Sequence, residues 1–123
     1  MEQKKIQSFT DLIAWQEGHK LVLNIYKVTK SFPKEEMFSL TNQLRRAVVS
    51  VTSNIAEGFK RKTLSDKSHF YTMSHGSVAE VQNQLLIARD LQYLDQKQFS
   101  QIAEQTVLTH KLLTGLIKSI SKN

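Results

Sequence analysis

The chain has no cysteine, one proline, four glycines and a single tryptophan among its 123 residues. The lack of cysteine excludes disulfides, thiolate zinc sites and cysteine nucleophiles, and it is compatible with a reducing cytoplasm. All-β folds turn often and use glycine and proline to do so. Their scarcity here favours long helices joined by short links. No segment approaches the ~18 consecutive apolar residues that would span a bilayer. The opening MEQKKIQSFTDLIAWQEGHK sets charge on both sides of a short apolar stretch, without the h-region or small-residue cleavage site of a signal peptide. The expectation is a cytoplasmic protein with no membrane partner.

The length suits one domain over residues 1–123, and 40% hydrophobic residues are enough for a core. The formal charge is +6, and acids prevail only between residues 63 and 95. The densest basic cluster is Lys60-Arg61-Lys62, with Lys67 close behind. Two readings compete for it. It can be a solvated helix end, where cations oppose the dipole, or a phosphate-binding patch for RNA or DNA.

Four helices account for the chain, over about residues 10–30, 38–58, 65–91 and 95–120. Ser8 with Asp11 three residues on has the form of a capping arrangement. Phe32-Pro33 closes the first helix, Lys34-Glu35-Glu36 forms an entry turn to the second, and Thr63-Leu64-Ser65-Asp66 opens the third. Three short links make antiparallel neighbours of such helices, so the expected fold is all-α, an up-down-up-down four-helix bundle.

Residues placed ~100° apart show the buried faces. Leu40, Leu44, Ala47, Val48, Val51 and Ile55 share one side of the second helix. Phe99, Ile102, Thr106, Leu113, Ile117 and Ile120 share one side of the fourth. The first helix has two stripes, Leu12, Trp15, His19, Val22, Leu23 and Tyr26 against Leu21, Ile25 and Val28. Leu108, Leu112 and Leu116 lie off the main stripe of the fourth. A second apolar face predicts self-association, through Leu21, Ile25, Val28, Leu108, Leu112 and Leu116.

A polar stripe runs beside the apolar face of the second helix. Gln43, Arg46, Ser50, Asn54 and Glu57 project within roughly 80° of one another. On the third helix Glu80 shares a side with Met73, Ile87 and Leu91, which predicts a partly buried carboxylate paired with Arg45 or Arg46 and Asn54. The stripe is then an ion-pair and hydrogen-bond network that holds register, or a ligand site at Arg46, Asn54, Glu57 and Glu80.

Asn54-Ile55-Ala56-Glu57-Gly58 and Gly76-Ser77-x-x-Glu80 resemble the two signature segments of the bacterial four-helix bundle proteins encoded in 23S rRNA intervening sequences. Phe9-x-x-Leu12-x-x-Trp15, Phe32-Pro33-x-Glu35, Leu40-x-x-Gln43-Leu44-Arg45-Arg46-Ala47, Ser50, His69-Phe70 and Leu91-x-Tyr93-Leu94 frame them in a consistent order over residues 9–95. Ser74-His75 before Gly76 departs from the small apolar residue frequent in the family. The resemblance implies an up-down bundle assembling as a homopentamer, with no settled biochemical activity. It also implies kinship with accessory proteins of diversity-generating retroelements, which form basic pentamers and associate with nucleic acid and reverse transcriptase.

Chemistry beyond binding has little support. His19, His69, His75 and His110 form neither an i, i+4 pair nor a Glu-x-x-His arrangement for a metal. His19 and His110 fall on apolar stripes, as core or interface histidines do. No P-loop, no glycine-rich cradle and no nucleophile–base spacing is present. The expectation is a non-enzymatic protein without cofactor or metal. It binds RNA or DNA through Lys60, Arg61, Lys62 and Lys67 with weak sequence specificity. The alternatives are a protein-interaction scaffold and, as a third reading, a small-molecule site around Arg46 and Glu80.

Overall fold

The computed structural model describes residues 5–121 and contains, among them, four α-helices and no strand. They are α1 (Ile13–Thr29), α2 (Leu40–Lys60), α3 (Leu64–Asp90) and α4 (Gln96–Ser121), with short 3₁₀ turns at Phe9–Asp11 and Lys34–Glu36. None is long and apolar enough to cross a membrane.

The Ser8–Asp11 capping box is present, but it caps the 3₁₀ turn rather than α1. Leu12 is extended, with ψ 128°, so α1 starts only at Ile13. The Thr63 hydroxyl accepts from the Asp66 amide at 3.1 Å and starts α3 as its sequence predicts. At the other end of α3, Gln92 takes φ 66°. The Tyr93 amide then reaches back to the Ala88 carbonyl at 2.9 Å, which seals the helix in Schellman fashion.

Each helix packs against two neighbours, α1 and α3 both lying against α2 and α4. Two buried clusters fill the interior. One joins Leu21 and Ile25 of α1 to Leu44 and Val48 of α2, Leu85 and Ala88 of α3, and Ile102 of α4. The other joins Ala14, Val51, Ile55, Tyr71, Val78 and Leu113. The C-terminal half of α1 therefore shares its layer with the N-terminal half of α2, the C-terminal half of α3 and the start of α4.

The α2 stripe from Leu40 to Ile55 is buried throughout. The two stripes of α1, by contrast, do not divide into core and outer face: Leu12, Trp15 and Val22 of the first pack half-buried against the core clusters. Leu21 and Ile25 are fully buried and Val28 packs against the same cluster, so none of the three forms an outer surface. His19, Leu23 and Tyr26 are exposed instead. The cause is Gly18, on the same side as Ala14 and Leu21. A Cβ there would stand 3.1 Å from Cγ2 of Thr52, so the bare backbone lets α1 and α2 close together along that face. Of the three α4 residues expected at an interface, Leu112 and Leu116 are half-buried against the second cluster and Leu108 is exposed.

Candidate functional site

The polar stripe of α2 lies along its junction with α3. The Ser50 and Ser77 hydroxyls are 2.9 Å apart across the two helices. Asn54 Nδ2 donates to the Ser50 carbonyl at 2.9 Å and to Ser50 Oγ at 3.0 Å. Ser74, fully buried, donates to the Val51 carbonyl at 2.7 Å. Small hydroxyl residues thus replace apolar ones where α2 and α3 run closest, and each hydroxyl finds a carbonyl or a second hydroxyl. Ser74 and Ser77 were not singled out as bridging residues from sequence. Their three-residue spacing, which puts both on one helix face, is the signal that would have found them.

The charged members of the stripe do not join this network. Glu80 is exposed, as are Met73, Ile87 and Leu91 on its side of α3, so the buried carboxylate expected there is corrected. Apolar residues surround α3 on nearly every side. Its core face is the one through Tyr71, Val78, Val81, Leu85 and Ala88, and the Met73 stripe points away from it. Arg45 turns toward α1, where its Nε donates to Thr29 Oγ1 at 2.9 Å and its guanidinium lies 4.7 Å from the Tyr26 ring centre. Arg46 is exposed and, like Glu80, forms no ion pair or side-chain hydrogen bond among the described residues. Glu57 is held by Arg61 at 2.6 Å.

Arg46 and Glu80 face an open groove of about 330 Å³ between α2 and α3, lined also by Gln43, Ala47, Ser50 and Gln84. Gln84 Oε1 is itself buried and has no hydrogen-bond partner among the described residues. A broader depression of about 860 Å³ continues over Arg46 and Ser50 toward Val49, Asn54 and Met73. No histidine hydrogen-bonds to Ser50 or Ser77, whose hydroxyls are engaged with each other; Ser50 Oγ also accepts from the Asn54 side-chain amide and Ser77 Oγ donates to the Met73 carbonyl. The groove offers a cation and an anion for recognition.

The basic corner between α2 and α3 divides into two pairs. Lys67 Nζ caps α2 by donating to the Phe59 carbonyl at 2.6 Å and the Gly58 carbonyl at 3.4 Å. Arg61 is bound to Glu57 and also stacks over Phe70, 4.6 Å from its ring centre. Lys60 and Lys62 are exposed and free of any ion pair among the described residues.

A third cluster lies between α3 and α4. The His75 and His110 rings are 4.0 Å apart between centres, and His75 Nε2 is 3.1 Å from Thr114 Oγ1. Burial first, and the neighbouring His110 second, hold the His75 imidazole below its ordinary pKa. His19, by contrast, is exposed and stacks on Trp15 at 4.7 Å. Among the described residues, no three His, Asp or Glu side chains converge as a metal site would require.

Comparison with known proteins bears on the fold and the family. No curated protein matches the chain. A crystal structure of a protein with unknown function from the S23 ribosomal protein family of Bacteroides thetaiotaomicron superposes with a TM-score of 0.80. The two share 20% identity over 86% of this chain and 96% of that one, a likeness of fold. The family model for the 23S rRNA-intervening sequence protein matches residues 10–115, which include both signature segments, the whole of α1, α2 and α3, and α4 as far as Gly115. The chain belongs to the 23S rRNA-intervening sequence protein family.

Proposed function

We propose that the chain is a non-enzymatic accessory protein that assembles as a ring, a homopentamer, and binds RNA or DNA by its phosphate backbone. Each subunit is an antiparallel up-down-up-down bundle, in keeping with the layering of the two core clusters. Binding takes place at the corner between α2 and α3, in the cytoplasm, with weak sequence preference.

The observation that carries this reading is the state of Lys60 and Lys62. Both are exposed and unengaged at a bundle end where Arg61 already neutralises Glu57. The amino end of α3 lies immediately beyond them and adds the positive pole of a 27-residue helix. Phosphate contacts of this kind position a nucleic acid without reading its bases. Repetition around a ring turns several weak contacts into firm attachment.

The test is direct binding of a structured RNA and of duplex DNA by fluorescence anisotropy, with Lys60→Glu/Lys62→Glu as the comparison. The reading expects wild-type binding that the double reversal abolishes while the melting temperature holds. Equal binding by both proteins contradicts it. A second reading, a protein-interaction scaffold whose partner is a protein such as a reverse transcriptase, draws on the unpaired charges of the α2–α3 groove. A partner recovered after nuclease treatment, with no direct nucleic-acid binding, would favour that scaffold.

A further inference from the structure

Phe38 is 92% exposed, in the link that leads into α2. A single exposed apolar residue is ordinary, but an aromatic ring with almost no protein contact is a large surface left wet. Beside it Met37 is also exposed, and Lys34 and Glu35 are exposed without an ion pair among the described residues. Glu36, in contrast, is engaged by Tyr93 Oη at 2.8 Å. The link is held firmly while its Phe38 knob and two charges point outward.

The four arginines show what such a knob lacks. Arg45 lies over Tyr26, Arg61 over Phe70 and Arg89 over Phe99, at 4.7, 4.6 and 4.8 Å from the ring centres. Arg46 alone has neither a ring nor a carboxylate against it among the described residues. It lines the α2–α3 groove together with Glu80, which also has no ion pair among the described residues. One part of the chain thus offers a free ring with a free cation and anion nearby. Another offers a guanidinium and a carboxylate, both without an ion pair among the described residues.

We infer that Phe38 of one copy seats in the α2–α3 groove of the next copy, with its ring against Arg46 and Lys34 facing Glu80; this rests on the ring assembly proposed above. The two surfaces are different patches of one chain, so the contact is head-to-tail, the type that closes into rings. Both lie toward the amino end of α2: Phe38 is two residues before Leu40, where the helix starts, and the groove lining begins at Gln43. Stacking of a guanidinium on a ring gains strength when the interface excludes water.

The experiment combines light scattering with photocrosslinking. Wild-type protein at micromolar concentration is compared with Phe38→Ser and Arg46→Ala, and a benzophenone amino acid is placed at position 38 for mapping by mass spectrometry. Both substituted side chains are exposed, so circular dichroism should show the same helical content in each variant. The expected results are an oligomer for wild type, a 14.1 kDa species for the variants, and crosslinks from position 38 to residues 43–50 or 77–84 of another copy. Glu80→Lys should also disperse the oligomer, and adding Lys34→Glu should restore it. A wild-type mass of 14.1 kDa overturns the assembly and this contact together. An oligomer that survives Phe38→Ser, or crosslinks that map elsewhere, overturns the contact and leaves the assembly standing.

Discussion

Gly58 of α2 lies directly against the ring of Tyr71 on α3: a Cβ built on Gly58 would be 2.7 Å from Tyr71 Cε1 and 2.9 Å from Cδ1. Tyr71 is 2% exposed and packs in the second core cluster with Ile55, Val78 and Leu113. Its ring cannot swing away without opening that cluster. The glycine of the Asn54–Gly58 segment is therefore a packing position. It does not stop α2, which continues to Lys60.

Gly58→Ala should destabilise the fold by about 1–3 kcal/mol, the usual cost of forcing an extra methyl into a packed site. Chemical denaturation of the purified protein measures it. The gain in helix propensity, up to about 1 kcal/mol, works in the opposite direction and is too small to cancel the clash.

Gly76 should behave in the opposite way. Nothing lies within 4 Å of a Cβ added there, and the residue sits inside α3 on its exposed side. Gly76→Ala should raise the stability of the subunit by about 0.5–1 kcal/mol through helix propensity alone. Denaturation midpoints for the pair of glycine variants should thus move in opposite directions.

The histidine pair predicts a pH dependence. Burial and His110 keep the folded-state pKa of His75 below its ordinary value of about 6.5. As pH falls through that value the unfolded chain takes up a proton that the folded chain resists, so folding stability falls with it. The contribution is complete above the unfolded-state pKa and is lost as pH drops toward the folded one. Melting temperatures between pH 7.5 and 5.5 should therefore decline for wild type, and His75→Gln should make the decline shallower. A slope that His75→Gln leaves unchanged would assign it to other groups.

How much of this was legible in the sequence depends on what surrounds each residue. The helices were readable because Pro33, Thr63 and the periodic stripe from Leu40 to Ile55 are local signals, and α2 has one clear apolar side. The faces of α1 were not. Its core side carries Ala14 and Gly18, and a small residue that wins its place by allowing close approach scores poorly as hydrophobic. Trp15, His19 and Tyr26 outweighed it on paper and lie on the flank. Glu80 is misread for a different reason: on α3, where Met73, Ile87 and Leu91 line one side and Val78, Val81 and Leu85 another, periodicity cannot choose between them. The basic corner was visible as a cluster, but only coordinates separate Arg61 and Lys67, tied to Glu57 and to the end of α2, from the unengaged Lys60 and Lys62.

That separation leads to the most direct test of the account, the salt dependence of RNA affinity. Each phosphate contact contributes roughly 0.7–0.9 to the slope of log affinity against log salt. Wild-type binding should weaken steeply as salt rises, and Lys60→Gln/Lys62→Gln should flatten the slope by about 1.4–1.8 for each subunit engaged. RNA affinity that is insensitive to salt, or a slope that the double substitution leaves intact, would contradict binding at the α2–α3 corner.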